Sequence, residues 1–283
     1  MLPSIPQSAF FRRAYQGYVL LFFIYLATPL LVVALFAFND SLFPSLPWRG
    51  WTLDWFLGRD APVVGLLHDP DLLRSIGISL WVALFTTFFS LVLATGNAFL
   101  FERQDFPGKG LLYILMLTPL VIPGVILGVS ILMLGSSVAN GVENWSGYGI
   151  EWLRPGLVLV VIGQFAFIST IGTLIIAARL RKFDTSLEEA AMNLGASRLQ
   201  AVATVTLPFL RPALVGAGVV SFLMSFENFN TTLMLVGSDA PLTIAMFDRL
   251  REGSTPVLNA VSLLLMLGSG LLALFSVMVQ RQR

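Results

Sequence analysis

Charge-free gaps constrain this chain more than any other feature. Five run without interruption, from Arg13 to Asp40, Arg74 to Glu102, Lys109 to Glu143, Arg154 to Arg179 and Glu252 to Arg281, and a sixth, from Arg211 to Asp239, is broken only by Glu227. Each exceeds the roughly 20 apolar residues a helix needs to cross about 30 Å of hydrocarbon. With 56% hydrophobic and 12% charged residues in 283, a soluble domain is excluded. Continuous apolar runs also exclude barrel strands, which alternate over short segments. The sequence therefore predicts an all-α integral membrane protein with six transmembrane helices, near 17–38, 75–101, 110–135, 157–179, 210–236 and 256–279.

The charges outside the gaps are sorted. With the N-terminus placed in the cytoplasm, one side holds Arg12, Arg13, Arg103, Lys109, Arg179, Arg181, Lys182, Arg198, Arg211, Arg281 and Arg283 against five acids, while the other holds six cations against ten acids. The positive-inside rule then puts both termini and the polar insert 183–211 in the cytoplasm. Arg12 and Arg13 precede an apolar run longer than a signal-peptide core, with no small-x-small cleavage site at its end. The first span is read as an uncleaved anchor.

Several chemistries drop out at once. There is no cysteine and only one histidine, His68, so disulfides, thiol nucleophiles and Cys/His zinc sites are excluded. A phosphate-binding P-loop needs Lys followed by Ser or Thr, and here the only lysines, Lys109 and Lys182, precede Gly110 and Phe183. Any ATP chemistry belongs to another subunit, and this chain is expected to bind no cofactor itself.

Two features interrupt the apolar spans. In the third, Thr118-Pro119-Leu120-Val121-Ile122-Pro123-Gly124 places two prolines four apart, which kinks or unwinds the helix, as a hinge or gate at Pro119 and Pro123 or as a packing kink. In the fifth, Glu227 is an intramembrane carboxylate and must face a cavity or a partner rather than lipid. On an unbroken helix Glu227, Asn230, Thr231 and Met234 share a face, with Asn228 beside them. That polar strip is a candidate substrate pathway, or else a contact between helices. Gln164 and Asn97 are weaker candidates that also suit interhelical hydrogen bonds. Trp48, Trp51 and Trp55 in the long loop 39–74 are read as anchors at the headgroup level.

The insert carries the most specific signal. Ser186 and Glu189 have capping-box spacing, as do Thr185 and Glu188, so a helix starts there. Gly195 suits a left-handed stop, Ser197 caps a second helix, and Pro208 is expected to end it. Beyond this local reading, Glu189-Ala190-Ala191, then Gly195, then Val205-Thr206-Leu207-Pro208 resembles the EAA signature of ABC importer permeases, departing from it at Val205, where isoleucine is usual. Ser221–Glu227, Pro241–Ile244 and Thr255–Ala260 are similar, more loosely, to the spermidine/putrescine permease family, to the second of the two permeases in such systems.

The resemblance implies a type I importer permease (MetI-like) fold, a single domain over 1–283 with core helices at about 72–280, in a bacterial inner membrane. It implies a coupling helix in which Glu189, Ala190, Ala191, Met192, Leu194, Gly195, Leu207 and Pro208 seat against an ATPase subunit. It also implies partners: a second homologous permease, two ABC ATPases that hold ATP and Mg, an extracytoplasmic solute-binding protein and membrane lipid, with no nucleic acid. The implied cargo is a polyamine, with opines, phosphonates, thiamine or ferric iron as runners-up. A stand-alone secondary transporter or channel would show more intramembrane ionisable residues. A membrane-embedded enzyme would show a nucleophile or metal constellation.

Overall fold

The computed structural model describes residues 8–44, 46–253 and 255–281. Arg283, one of the cations assigned to the cytoplasmic side, lies outside them. In chain order the helices are α1 (Ala9–Phe36), α2 (Asp54–Leu57), α3 (Pro70–Arg103), α4 (Lys109–Val121), α5 (Gly124–Ser146), α6 (Leu157–Leu180), α7 (Ser186–Asn193), α8 (Arg198–Ala201), α9 (Leu207–Phe226), α10 (Asn230–Leu235), α11 (Leu242–Glu252) and α12 (Pro256–Arg281). Among the described residues, the β structure is one isolated bridge, Asn39 with Trp51. Among these described residues, six segments are long and apolar enough to span a membrane: α1, α3, α5, α6, Arg198–Phe226 and Pro256–Val279. The chain is all-α and multi-pass, as its gaps predict.

The described residues form two compact units, one within Met1–Pro70 and Arg249–Leu267, the other within Asp71–Asp248 and Gly268–Arg283. In the first unit α1 buries no residue in the chain, so its apolar surface needs an apolar solvent. The loop after it is held by polar bonds. Asn39 is fully buried; its Oδ1 accepts from the Arg49 amide at 2.9 Å and its carbonyl from Trp55 Nε1 at 2.8 Å. Trp55 is thus a buried pin rather than the interfacial anchor expected from sequence, because its indole N–H finds a partner inside the loop. Trp51 stays exposed, edge-on to Trp48. Arg249 clamps Asp69 with two bonds of 2.6 and 2.9 Å.

In the second unit α6 is the most buried span. Its lower half packs Ile176, Ala177 and Leu180 against Ala94 and Ala98 of α3 and Leu210 and Ala217 of α9. Its upper half packs Leu159, Val160 and Val161 against Val82 and Leu235. Small residues set the spacing, since lipid offers no hydrophobic drive and helices gain by close backbone approach. A Cβ on Gly172 would sit 3.0 Å from that of Ala94.

Two spans and the second insert helix depart from the sequence reading, each for a local reason. The third, expected over 110–135, is two helices. Ile122, restrained by the proline after it, is extended (φ −74°, ψ 128°), Pro123 caps α5, and α5 continues to Ser146. Pro119 sits inside α4 without ending it, and Thr170 Oγ1 bonds the Met116 carbonyl at 2.9 Å beside the break.

Pro208 does not end the second insert helix. The chain passes from α8 through a π-helical turn, Val202–Thr206, directly into α9. The wider turn accommodates a residue with no amide hydrogen. The fifth span, expected to be continuous to 236, stops at Phe226 and resumes at Asn230. Asn228 causes this: its Oδ1 accepts from the amide (3.2 Å) and hydroxyl (3.0 Å) of Thr232, drawing the backbone out of the helical ladder.

Candidate coupling surface and pathway

The insert begins where α6 ends. Phe183 is buried, edge-on to Phe209 at 5.1 Å, and Arg179 lies over Phe209 at 4.4 Å. The helix start then differs from the expected capping box. Thr185 is the N-cap residue without a side-chain cap bond, and Asp184 Oδ1 accepts the Ser186 amide at 3.0 Å instead. Bonds from the Ser186 hydroxyl and amide hold the Asp184 carboxyl below its ordinary value. The true capping box is at the start of α8, where Ser197 Oγ accepts the Gln200 amide at 3.3 Å and Gln200 Oε1 accepts the Ser197 amide at 2.8 Å. Gly195 takes the left-handed turn between the two helices, at φ +95°.

Glu189 is therefore not a cap; it stands exposed on α7. Its neighbour Glu188 is the structural carboxylate. It accepts two bonds from Arg103 at the end of α3, at 3.1 and 3.3 Å, and the Thr206 hydroxyl from the π turn. The two charged side chains are only 19% and 16% exposed. With Glu188 turned inward, four large apolar side chains of the insert are left uncovered among its exposed polar ones. Leu194 is 90% and Leu199 80% exposed, with Leu187 and Met192 also exposed. Ala190 is open and Ala191 half-buried, while Leu207 is half-buried and Pro208 exposed. An apolar cluster on short, rigidly held helices outside the spans is the form of a docking surface.

The predicted pathway residues separate into two groups. Glu227 caps the end of α9 and is exposed, as is Asn230, while Asn228 is half-buried between them. The shared helical face does not exist, because the helix stops at Phe226 and a new one begins at Asn230. Thr231 is buried, its hydroxyl 3.3 Å from the Gly124 carbonyl. Gln164 is 1% exposed and uses both ends of its amide: Nε2 donates to Thr232 Oγ1 at 2.8 Å, and Oε1 accepts from Ser225. These two are contacts that hold the α9–α10 break rather than surfaces open to a solute. Pro123 lies at the α4–α5 break, and Gly124 packs there against Asn230 and Thr231.

Sequence reasoning read Glu188 as a capping partner of Thr185 and Thr206 as part of the EAA stretch; it missed that both meet Arg103's site, a meeting made only by the fold. Asp184 was findable, since an Asp two residues before a helix is an Asx-turn signal.

Residues 87–282, well over half the chain, match the family described as binding-protein-dependent transport system inner membrane component. The putrescine transport system permease protein PotI of Escherichia coli K12 is 29% identical over 250 residues, covering 88% of this chain and 84% of PotI. The spermidine/putrescine transport system permease protein PotC of Haemophilus influenzae is 25% identical over 280 residues, covering 97% and 98%. Among solved structures, a bacterial ABC transporter that imports the acidic polysaccharide alginate superimposes with a TM-score of 0.73 at 19% identity, over 96% of both chains. The same kind of transporter in complex with its alginate pentasaccharide-bound periplasmic protein gives 0.74 at 16% identity, over 96% and 94%. The fold is thus that of importer permeases. The chain belongs to the binding-protein-dependent inner membrane component family: it is a multi-pass inner-membrane permease subunit of an ABC importer, not an enzyme.

Proposed function

We propose that this subunit carries a polyamine, putrescine or spermidine, across the inner membrane, with both termini and the insert on the cytoplasmic side. It pairs with a second, homologous permease to enclose the route, receives its solute from an extracytoplasmic binding protein, and is driven by two ATPase subunits that hold ATP and Mg. One of these seats against Leu187, Met192, Leu194 and Leu199, with Glu189 at its edge and Ala190, Ala191 and Gly195 allowing close approach. Leu207 and Pro208 carry the motion into α9. When the ATPases close, the coupling helices draw together and the pathway turns outward; hydrolysis resets it. Two states of this kind require ligands that bind them unequally.

The observation that carries the cargo reading is Glu227. It is exposed at a helix break in an apolar span, where an unpartnered carboxylate suits a passing ammonium group and repels an anion. Beside it the exposed Asn230 offers a side-chain amide to replace hydration. Gln164 and Thr231 support this site from behind, and Pro119 and Pro123 serve as the hinge next to it. PotI and PotC are named for putrescine and spermidine/putrescine transport, which supports the same class of cargo.

The test is Glu227→Gln in the assembled transporter. Putrescine uptake should weaken while assembly and ATPase binding persist; native uptake kinetics would remove Glu227 from the route. Replacing Glu189 and Gly195 together should lower uptake per ATP or prevent ATPase docking.

A further inference from the structure

Glu102 and Arg103 close α3, and each reaches a different element. The Glu102 carboxylate accepts Arg181 Nε at 2.8 and 2.9 Å, tying α3 to the end of α6. Arg103 reaches α7 instead, donating Nη1 and Nη2 to Glu188, and its guanidinium lies 5.3 Å from the centroid of the buried Phe183 ring. Glu188 in turn accepts the hydroxyl of Thr206, which is fully buried. Thr206 is the last residue of the π turn, so the bond ties that turn to α7. The three side chains therefore join elements that the chain itself connects only at a distance: Arg103 and Glu188 are 85 residues apart, Glu188 and Thr206 18.

We propose that Arg103, Glu188 and Thr206 form a clasp that makes α7 travel with α3 as one body. Motion imposed on the insert then reaches the second span directly, as well as α6 and α9, which are covalently continuous with it. The inference rests on the reading that the insert docks on an ATPase subunit. Three features make this a joint rather than a surface ion pair. The bond is bidentate, which fixes the relative angle of the two side chains as well as their separation. It is largely withdrawn from water, so salt screens it little. The carboxylate is also shared with a hydroxyl from a third element, so sliding α7 along α3 breaks two contacts together. Arg103 and Glu188 are thus positioning residues for energy transfer. Neither needs to touch ATP or solute.

The test uses the complete transporter reconstituted with its binding protein, with putrescine as the solute and ATP hydrolysis recorded alongside uptake. Arg103→Ala and Glu188→Gln should still assemble and hydrolyse ATP, but import per ATP should fall about tenfold, within the range usual for coupled sites. The swapped pair Arg103→Glu with Glu188→Arg should recover most of that loss. Native import per ATP in both single variants would overturn the clasp.

Should a variant fail to assemble, a distance decides. The native chain has no cysteine, so with companion subunits whose own cysteines are replaced, nitroxides at Gln104→Cys and Thr185→Cys report on the ends of α3 and α7. One unchanged distance in the nucleotide-free and ATP-trapped transporter is expected. A shift of about 5 Å, the rise of one helical turn, would show that the two helices part during the cycle and would overturn the proposal. Failure of the underlying docking reading looks different: the native complex would import without ATP, or would not retain the ATPase subunit.

Discussion

Replacing Gln164 with Leu removes an amide that holds the α9–α10 break from behind. The loss can be worked from its contacts. Gln164 donates to Thr232 at 2.8 Å and accepts from Ser225, and all three residues are at least 97% buried. Interhelical polar contacts in membranes average about 0.6 kcal/mol and reach about 1.7. Two such contacts give about 1.2 kcal/mol on average and about 3.4 at the ceiling. Leucine leaves the Ser225 hydroxyl without its acceptor in a dry site, while the Thr232 hydroxyl keeps Asn228 Oδ1, and the orphaned serine moves the cost above the average. We expect about 2 kcal/mol, near a 30-fold change in the folded-to-unfolded ratio.

The assay is equilibrium unfolding of the purified chain in mixed micelles, followed by tryptophan fluorescence. The decisive comparison is a double-mutant cycle of Gln164→Leu with Ser225→Ala, because Ser225 Oγ donates to Gln164. A coupling energy of about 0.6–1.7 kcal/mol is predicted. Additivity within about 0.3 kcal/mol would refute the claim that this bond helps hold the break.

Two further predictions concern packing and pH. A Cβ on Gly128 would meet Met234 Cβ at 2.9 Å and the Thr231 carbonyl at 3.1 Å, neither of which can swing aside. Gly128→Ala should therefore cost about 1–3 kcal/mol by overpacking α5 against α10, while Gly141→Ala, on the same helix with open space around it, should be neutral or slightly stabilising in the same unfolding assay. The Asp184 carboxyl is held below its ordinary value of 3.8 by its bonds from Ser186. Its contribution to the start of α7 is complete above the unfolded value and is lost as pH falls through the lowered folded value. A carbon-detected titration of Asp184 should give a midpoint below 3.8, moving up toward the ordinary value in Ser186→Ala, which keeps the amide bond and removes the hydroxyl's; an unchanged midpoint would contradict the hydroxyl's part in lowering it.

Much of the architecture was legible because hydrocarbon leaves few options. A charge-free run of adequate length has to be a helix, and so α6 and α12 lie where the gaps put them, while α1 and α3 begin earlier than their gaps, at Ala9 and Pro70. The interruptions were legible only where a covalent restriction announces them. Pro123 has no amide hydrogen and restricts Ile122, so a break there could be read in advance. The break after Phe226 depends on Asn228 bonding Thr232, a choice between two hydrogen-bond partners that residue types alone do not settle.

The same limit applies in the insert. Gly195 was readable as a left-handed stop from its position after an apolar helix. Which of two adjacent glutamates would turn inward was not, because the partner that selects Glu188 is Arg103, on another span. Pro208 misled for the converse reason: proline usually ends a helix, but here a π turn absorbs it within one continuous segment.

The central claim is that this subunit moves solute only with force delivered through the insert by an ATP-consuming partner. Putrescine accumulation in proteoliposomes tests it most directly, comparing this chain alone, the permease pair, and the full complex with binding protein, ATPase subunits and ATP. The account predicts accumulation above the external concentration only in the last case, and its loss when ATP is withheld. Accumulation by the chain alone, driven by an ion gradient, would contradict it.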